Sequence, residues 1–172
     1  FNGVESGAKA GTDLEPAGDL DGDGDDEFFV VSSGAAGGAG TVHFVPGFYQ
    51  NGGNYDLDDE LGSVFSPSAL TSYVVHGNAG DQLTQVHRIP DINTDGSDEF
   101  VIGAPRSSLI ENHAGAAYLL YGGDYFWGNW WDSAGAPMSS LNLYDEAQVA
   151  TRTVMFQGER VNRLFGHKVK TA

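Results

Sequence analysis

Two stretches of the sequence decide the fold: GDLDGDGDDEFFVV at residues 18–31 and PDINTDGSDEFVIG at residues 90–103. Each is an acidic, glycine-containing loop that runs directly into an apolar segment. Their first aspartates, Asp19 and Asp91, are 72 residues apart. Internal similarity at so long a period predicts stacked repeat units.

The segments around these stretches have the composition of β-strands. Short runs of β-branched and aromatic residues, bounded by Gly, Asn, Asp and Pro, are typical of strands. Phe28–Val31 and Phe100–Ile102 are apolar without interruption, which predicts strands buried on both faces. Similar pairs of apolar segments follow, at 41–47 and 117–123 and at 71–75 and 151–156. A four-stranded unit that recurs at this period is typical of a blade of a β-propeller.

The sequence therefore predicts an all-β chain made of two four-stranded propeller blades and the first strand of a third. The first blade covers 1–76, the second covers 77–157, and 158–172 is the lead-in to the third. Closed propellers usually have about four to eight blades. Two blades and a strand cannot close a ring, so either the chain is a piece of a longer protein or several copies assemble.

The acidic loops have the spacing of a metal site. With the first Asp as position 1, both loops carry oxygen-bearing side chains at positions 1, 3, 5 and 9, a glycine at position 6, and a residue at position 7 that can offer its backbone carbonyl. Calcium takes six to eight oxygen ligands, whereas magnesium keeps more water. The predicted ligands of two Ca²⁺ ions are Asp19, Asp21, Asp23, Asp25 and Glu27 in one loop and Asp91, Asn93, Asp95, Ser97 and Glu99 in the other. The alternative is a pair of solvated acidic turns.

The spacing differs from that of an EF-hand, which places a bidentate Glu at position 12. That position is occupied by Val30 in the first loop and by Ile102 in the second. The last acidic residue of each loop is instead at position 9, directly before the buried strand.

Charge and composition exclude several functions. The chain has 24 acidic and 8 basic residues, a net charge of −16, and no cysteine. An acidic protein is a poor partner for nucleic acid or for anionic membranes, and cations suit it better. Without cysteine there is no disulfide and no thiolate zinc site. The charge is uneven: residues 1–151 carry 3 basic and 23 acidic residues, whereas 152–172 carry 5 basic residues and one acidic residue. No apolar run is long enough for a transmembrane helix.

The loop and its flanking motifs resemble the FG-GAP repeats of integrin alpha-subunit β-propellers and of bacterial surface proteins. The resemblance rests on four motifs: Phe165-Gly166, the loop 91–99, Gly103-Ala104-Pro105, and the strand 115–121. The first unit lacks the Phe-Gly and Gly-Ala-Pro motifs, and position 9 is Glu where the family usually has Asp. The resemblance implies calcium in the loops between first and second strands, a location outside the cell, at its surface or in the periplasm, and a role in recognition or adhesion without catalysis.

Two other functions stay open. The first is a polysaccharide lyase, because rhamnogalacturonan lyases carry similar acidic loops on a propeller. The second is a structural subunit of a ring or filament. A long insert at 122–149 carries Trp127, Trp130 and Trp131. These residues either form a platform for a protein or carbohydrate ligand, since aromatic residues dominate binding hot spots, or pack the insert onto its own blade.

Overall fold

The fold was described in a computed structural model, which places residues 2–3, 5–18, 26–45, 56–57, 73–122, 140–143 and 153–170. The strands are β1 (Asn2–Gly3), β2 (Ala10–Gly18), β3 (Glu27–Ser32), β4 (Thr41–Val45), β5 (Asp56–Leu57), β6 (Tyr73–His76), β7 (Gln85–Ile89), β8 (Glu99–Ala104), β9 (Ala116–Leu120), β10 (Ser140–Asn142) and β11 (Thr153–Gln157). A single helical turn, α1, spans Ala35–Gly38. The prediction of an all-β fold is confirmed.

Two sheets dominate the structure. The first sheet has the strand order β10-β6-β4-β3-β2, and the second sheet has the order β11-β9-β8-β7. In each sheet, four strands that follow one another in the chain pair antiparallel with their neighbours. The two-residue strands β1 and β5 form a separate parallel pair.

The two sheets share their register as well as their strand order. Glu15 pairs with Phe29 in the first sheet, and His87 pairs with Val101 in the second, so both partners are offset by 72 residues. The next pair of strands keeps the match, with Phe29 opposite Phe44 and Val101 opposite Leu119. The 72-residue repeat of the sequence is therefore also a repeat of backbone pairing.

One apolar core joins the two sheets. Successive residues of a strand point to opposite faces, so each sheet has two faces. The first sheet contributes Phe29, Val31, Val42, Phe44 and Val75 to the core. The second sheet contributes Val86, Phe100, Ile102, Ala104, Ala116, Tyr118 and Leu120. The rings of Phe29 and Phe100 meet across the interface, with centroids 5.1 Å apart.

A strand from the predicted second blade joins the first sheet, which the sequence did not predict. β10 lies in the insert at 122–149, yet it pairs in parallel with β6 through Leu141 opposite Val75. The backbone N–H of Leu143 continues the pairing to the carbonyl of His76, and both leucines are buried in the shared core. The insert thus covers the outer edge of the first sheet, because an uncovered edge leaves backbone groups and apolar side chains exposed.

The predicted first strand of a third blade, Phe165–Ala172, is not a strand over 165–170. Residues 158–168 form turns, with one isolated bridge between Phe165 and Gly115. The N–H groups of Gly158, Leu164 and Phe165 donate to carbonyls of residues 113–115. A strand gains its hydrogen bonds from a neighbouring strand, and in the described part of the chain no strand lies beside 165–170.

Candidate metal centre

The second acidic loop connects β7 to β8 and is described throughout. Asp91 and Ser97 are half-buried, Asn93 and Asp95 are exposed, and Glu99 is buried at the start of β8. The structure brings the carboxylates of Asp91, Asp95 and Glu99 together, with one oxygen of each within 4.8 Å of the others. Three of the five predicted ligands of this loop therefore converge on one point.

Asp91 shapes the loop with its side chain. One carboxylate oxygen accepts the N–H of Thr94 at 2.6 Å, and the other accepts the N–H of Gly96 at 2.9 Å. Thr94 and Gly96 both have positive φ, at 63° and 95°. Position 6 therefore adopts the left-handed backbone that glycine tolerates best, as the sequence predicted.

Asn93 and Asp95 hold the tip of the loop. The Asn93 amide donates to Oδ2 of Asp95 at 2.9 Å, and the N–H of Asp95 donates to Oδ1 of Asn93 at 2.9 Å. Oδ1 of Asp95 accepts the N–H of Ser97, also at 2.9 Å. Side-chain oxygens at alternate positions thus turn toward the inside of the loop, which is how a short loop surrounds a cation.

Glu99 is the most unusual member of the group. Its side chain is buried, and Oε2 accepts the N–H of Ile92 at 2.9 Å. Its other oxygen, Oε1, is buried and has no hydrogen-bond partner. Such an atom is rare in native structures and costs free energy unless an ion or a water satisfies it.

The pKa of the Glu99 carboxyl reflects this environment. Burial raises the pKa above its ordinary value, and the negative charges of three neighbouring aspartates raise it further. The hydrogen bond from Ile92 acts in the opposite direction. A carboxylate in this position lacks a positive partner, and a bound divalent cation would provide one.

Two residues that support the loop were not among the predicted ligands. Asp98 accepts the backbone N–H of Asp91 at 3.1 Å through Oδ1, and its other oxygen forms a short ion pair with Arg88 of β7. Asp98 thereby fixes the first residue of the loop, and its charge is already neutralised. A signal for this role was present in the sequence, since Asp26 and Asp98 occupy the same position of the two loops.

The first acidic loop is described only at its end. Asp19, Asp21, Asp23 and Asp25 lie outside the described residues. Glu27 is described: it begins β3 and is buried, as Glu99 is at the start of β8. The second predicted calcium site thus stays a prediction, and so does the role of Trp127, Trp130 and Trp131, which also lie outside the described residues.

Comparison with known proteins identifies no relative. Neither protein-family models nor curated proteins match the sequence. Among the described residues, no helix is long and apolar enough to cross a membrane.

Proposed function

We propose that this chain is a calcium-binding module of FG-GAP-like propeller blades that acts in recognition or adhesion outside the cell or at its surface, without catalysis. In this proposal calcium has a structural role: it fixes the acidic loop to the strand that follows and so rigidifies the blade. The surfaces that contact a ligand would be other loops on the same scaffold.

The convergence of three carboxylates around an unpartnered buried oxygen carries the proposal. Oxygens of Asp91, Asp95 and Glu99 lie together, and Oε1 of Glu99 has no partner in the protein. An acidic turn that served only solubility would expose its carboxylates, since burial of an unpaired charge is costly. The donor set contains only oxygens and no nitrogen or sulfur, which suits a hard cation such as calcium.

The residues present fit a calcium ion. Asp91, Asn93, Asp95 and Glu99 would supply side-chain oxygens, and Ser97 would supply its backbone carbonyl. Bound there, calcium would neutralise the cluster and satisfy the buried oxygen of Glu99. Since Glu99 begins β8, a strand of the shared core, the ion would connect an exposed loop to the interior.

Repetition supports the assignment of the sheets as blades. Both sheets are antiparallel meanders with matching registers, and they pack against each other through one core. A third unit begins in the same way as the second. The N–H groups of Gly77 and Leu83 donate to the carbonyls of Gly40 and Ala39, and those of Gly158 and Phe165 donate to the equivalent carbonyls of Gly115 and Ala114. Successive units thus enter the stack through the same turn.

Calorimetric titration with calcium tests the proposal. Chelator-treated protein should bind calcium with a dissociation constant of about 0.1–1 mM, the range of extracellular modules. Asp95→Asn should weaken binding at the second loop by about tenfold or more, because it removes a charged ligand. Glu111→Gln removes an exposed charge outside the cluster and is the matched control.

Two results would overturn the calcium assignment. One is the absence of any calcium heat from the treated protein. The other is equal binding by the Asp95→Asn and Glu111→Gln variants, since the cluster would then play no part.

A further inference from the structure

The two sheets meet through residues whose counterparts at the two ends of the structure are exposed. The register matches allow each counterpart to be identified. Val86 of the second sheet is buried against the first sheet, and its counterpart Leu14 is 61% exposed. Val75 of the first sheet is buried against the second sheet, and its counterpart Phe156 is 48% exposed.

The connecting turn shows the same difference. Leu83, which enters the second unit, is fully buried in the shared core. Phe165 occupies the same place in the next turn, because its N–H bonds to Ala114 as that of Leu83 bonds to Ala39, yet it is 44% exposed. The chain therefore carries both halves of its own internal interface a second time, one half at each end. The entry half is centred on Leu14, and the exit half is centred on Phe156 and Phe165.

The charges of the two halves are opposite. Arg160, Arg163, Lys168 and Lys170 are exposed around the exit half, with Glu159 as the only acidic residue in 153–170. The entry half is surrounded by acidic residues, namely Glu5, Asp13, Glu15 and Asp26, of which Glu5 and Asp26 are exposed. Complementary charge favours association of the two halves and sets their orientation.

We infer that the exit half of one chain binds the entry half of a second copy, so that the contact between the first and second sheets is repeated between molecules. Phe156 and Phe165 of one copy would cover Leu14 of the next, as Val75 and Leu83 pack in the same core as Val86 within the chain. Such a contact is heterologous, with different surfaces on the two partners, and it continues into a ring or a filament. The inference rests on the apolar and charged surfaces and does not depend on calcium.

Mass in solution tests the inference, measured by sedimentation across a wide range of protein concentration. The wild-type chain should exceed its monomer mass of 18.2 kDa as concentration rises, and more so at low ionic strength. Leu14→Asp and Phe156→Asp should each weaken association by about tenfold or more, since each places a charge in an apolar contact. Circular dichroism would establish that both variants keep their strands.

An equimolar mixture of the two variants provides the decisive measurement. The Leu14→Asp chain keeps its exit half and the Phe156→Asp chain keeps its entry half, so the mixture should form a dimer with one chain of each kind. Arg163→Glu, at an exposed position, is a second route to the same interface and should also reduce association. A wild-type chain that stays monomeric at every concentration would overturn the inference, as would wild-type mass in all three variants or a mixture that contains no dimer.

Discussion

Glu27 and Glu99 lie 72 residues apart, and each begins the second strand of its sheet with a side chain that is only 1% exposed. A carboxylate is among the least favourable groups to bury, so a matching pair at equivalent places needs a physical compensation. In the second unit, part of the compensation is the N–H of Ile92, while Oε1 of Glu99 has no partner in the protein. A cation at each loop would account for both buried carboxylates.

The first prediction is that calcium stabilises the fold. A ligand at 100 times its dissociation constant adds about 2.7 kcal/mol to the free energy of unfolding for each site that only the native state binds. For a chain of this length, each kcal/mol raises the melting temperature by about 2–4 °C. Thermal melts in chelator and in excess calcium should therefore differ by several degrees. Identical melts of protein shown to be free of metal would contradict the prediction.

Glu99→Gln should have effects of opposite sign with and without calcium. In chelator the variant should be more stable than wild type, because it removes a buried charge that is repelled by Asp91, Asp95 and Asp98. In excess calcium it should be less stable, since a charged ligand is lost. We expect a change of about 1–3 kcal/mol in each condition, measured by urea unfolding. Glu111→Gln should leave both values unchanged, and the same sign in both conditions for Glu99→Gln would refute the explanation.

The two loops should differ in affinity. The first loop has four carboxylates at positions 1, 3, 5 and 9, whereas the second has three and the neutral Asn93. A larger ligand charge generally raises calcium affinity. We therefore expect Asp23→Ala to remove the tighter phase of a calorimetric titration and Asp95→Ala the weaker one. The reverse assignment would show that loop rigidity outweighs charge.

Leu141 should be essential for the stability of the first sheet. It belongs to β10, which crosses from the second unit to pair with β6, and its side chain is buried in the shared core. Removing a buried leucine side chain usually costs about 2–5 kcal/mol. Leu141→Ala should lose that much free energy of unfolding, whereas Leu109→Ala, at an exposed position, should change it by less than about 0.5 kcal/mol. Equal effects would mean that β10 adds little to the fold.

The sequence predicted those features that local chemistry determines. Phe28–Val31 and Phe100–Ile102 are buried strands, as their uninterrupted apolar character predicted, and Gly96 has the positive φ that a sharp turn requires. Convergence of Asp91, Asp95 and Glu99 followed from the alternation of oxygens along a short loop.

Features that depend on distant partners were not predicted. The parallel pairing of β10 with β6 joins residues more than 60 positions apart, and nothing in the short segment Ser140–Asn142 specifies which edge it joins. The ion pair of Arg88 with Asp98 likewise depends on the register of β7 against β8. Residues 165–170 were predicted to be a strand from composition, yet they form turns because composition does not supply a pairing partner.

The final prediction concerns pH and His43 in β4. The ring is buried, and Nε2 is 2.9 Å from the hydroxyl of Thr41, while Nδ1 has no hydrogen-bond partner. Burial lowers the pKa of His43 from 6.5 to about 4, and the neighbouring His76 contributes to the decrease. The unfolded chain therefore binds a proton near pH 6.5 that the folded chain binds only near pH 4.

The consequence is a loss of stability as pH falls through this window. Between pH 6.5 and 4 the unfolded state holds more protons at this site, so the free energy of unfolding decreases, by about 3 kcal/mol at most. Asp81, whose pKa is raised mainly by burial, acts in the opposite sense, because its protonated form favours the folded state at low pH. His43→Gln removes one titration and leaves the other, so urea unfolding from pH 7 to 4 should show a shallower slope in the variant than in wild type. His167→Gln, at an exposed position, should keep the wild-type slope, and a His43→Gln slope equal to it would assign the acid sensitivity to other groups.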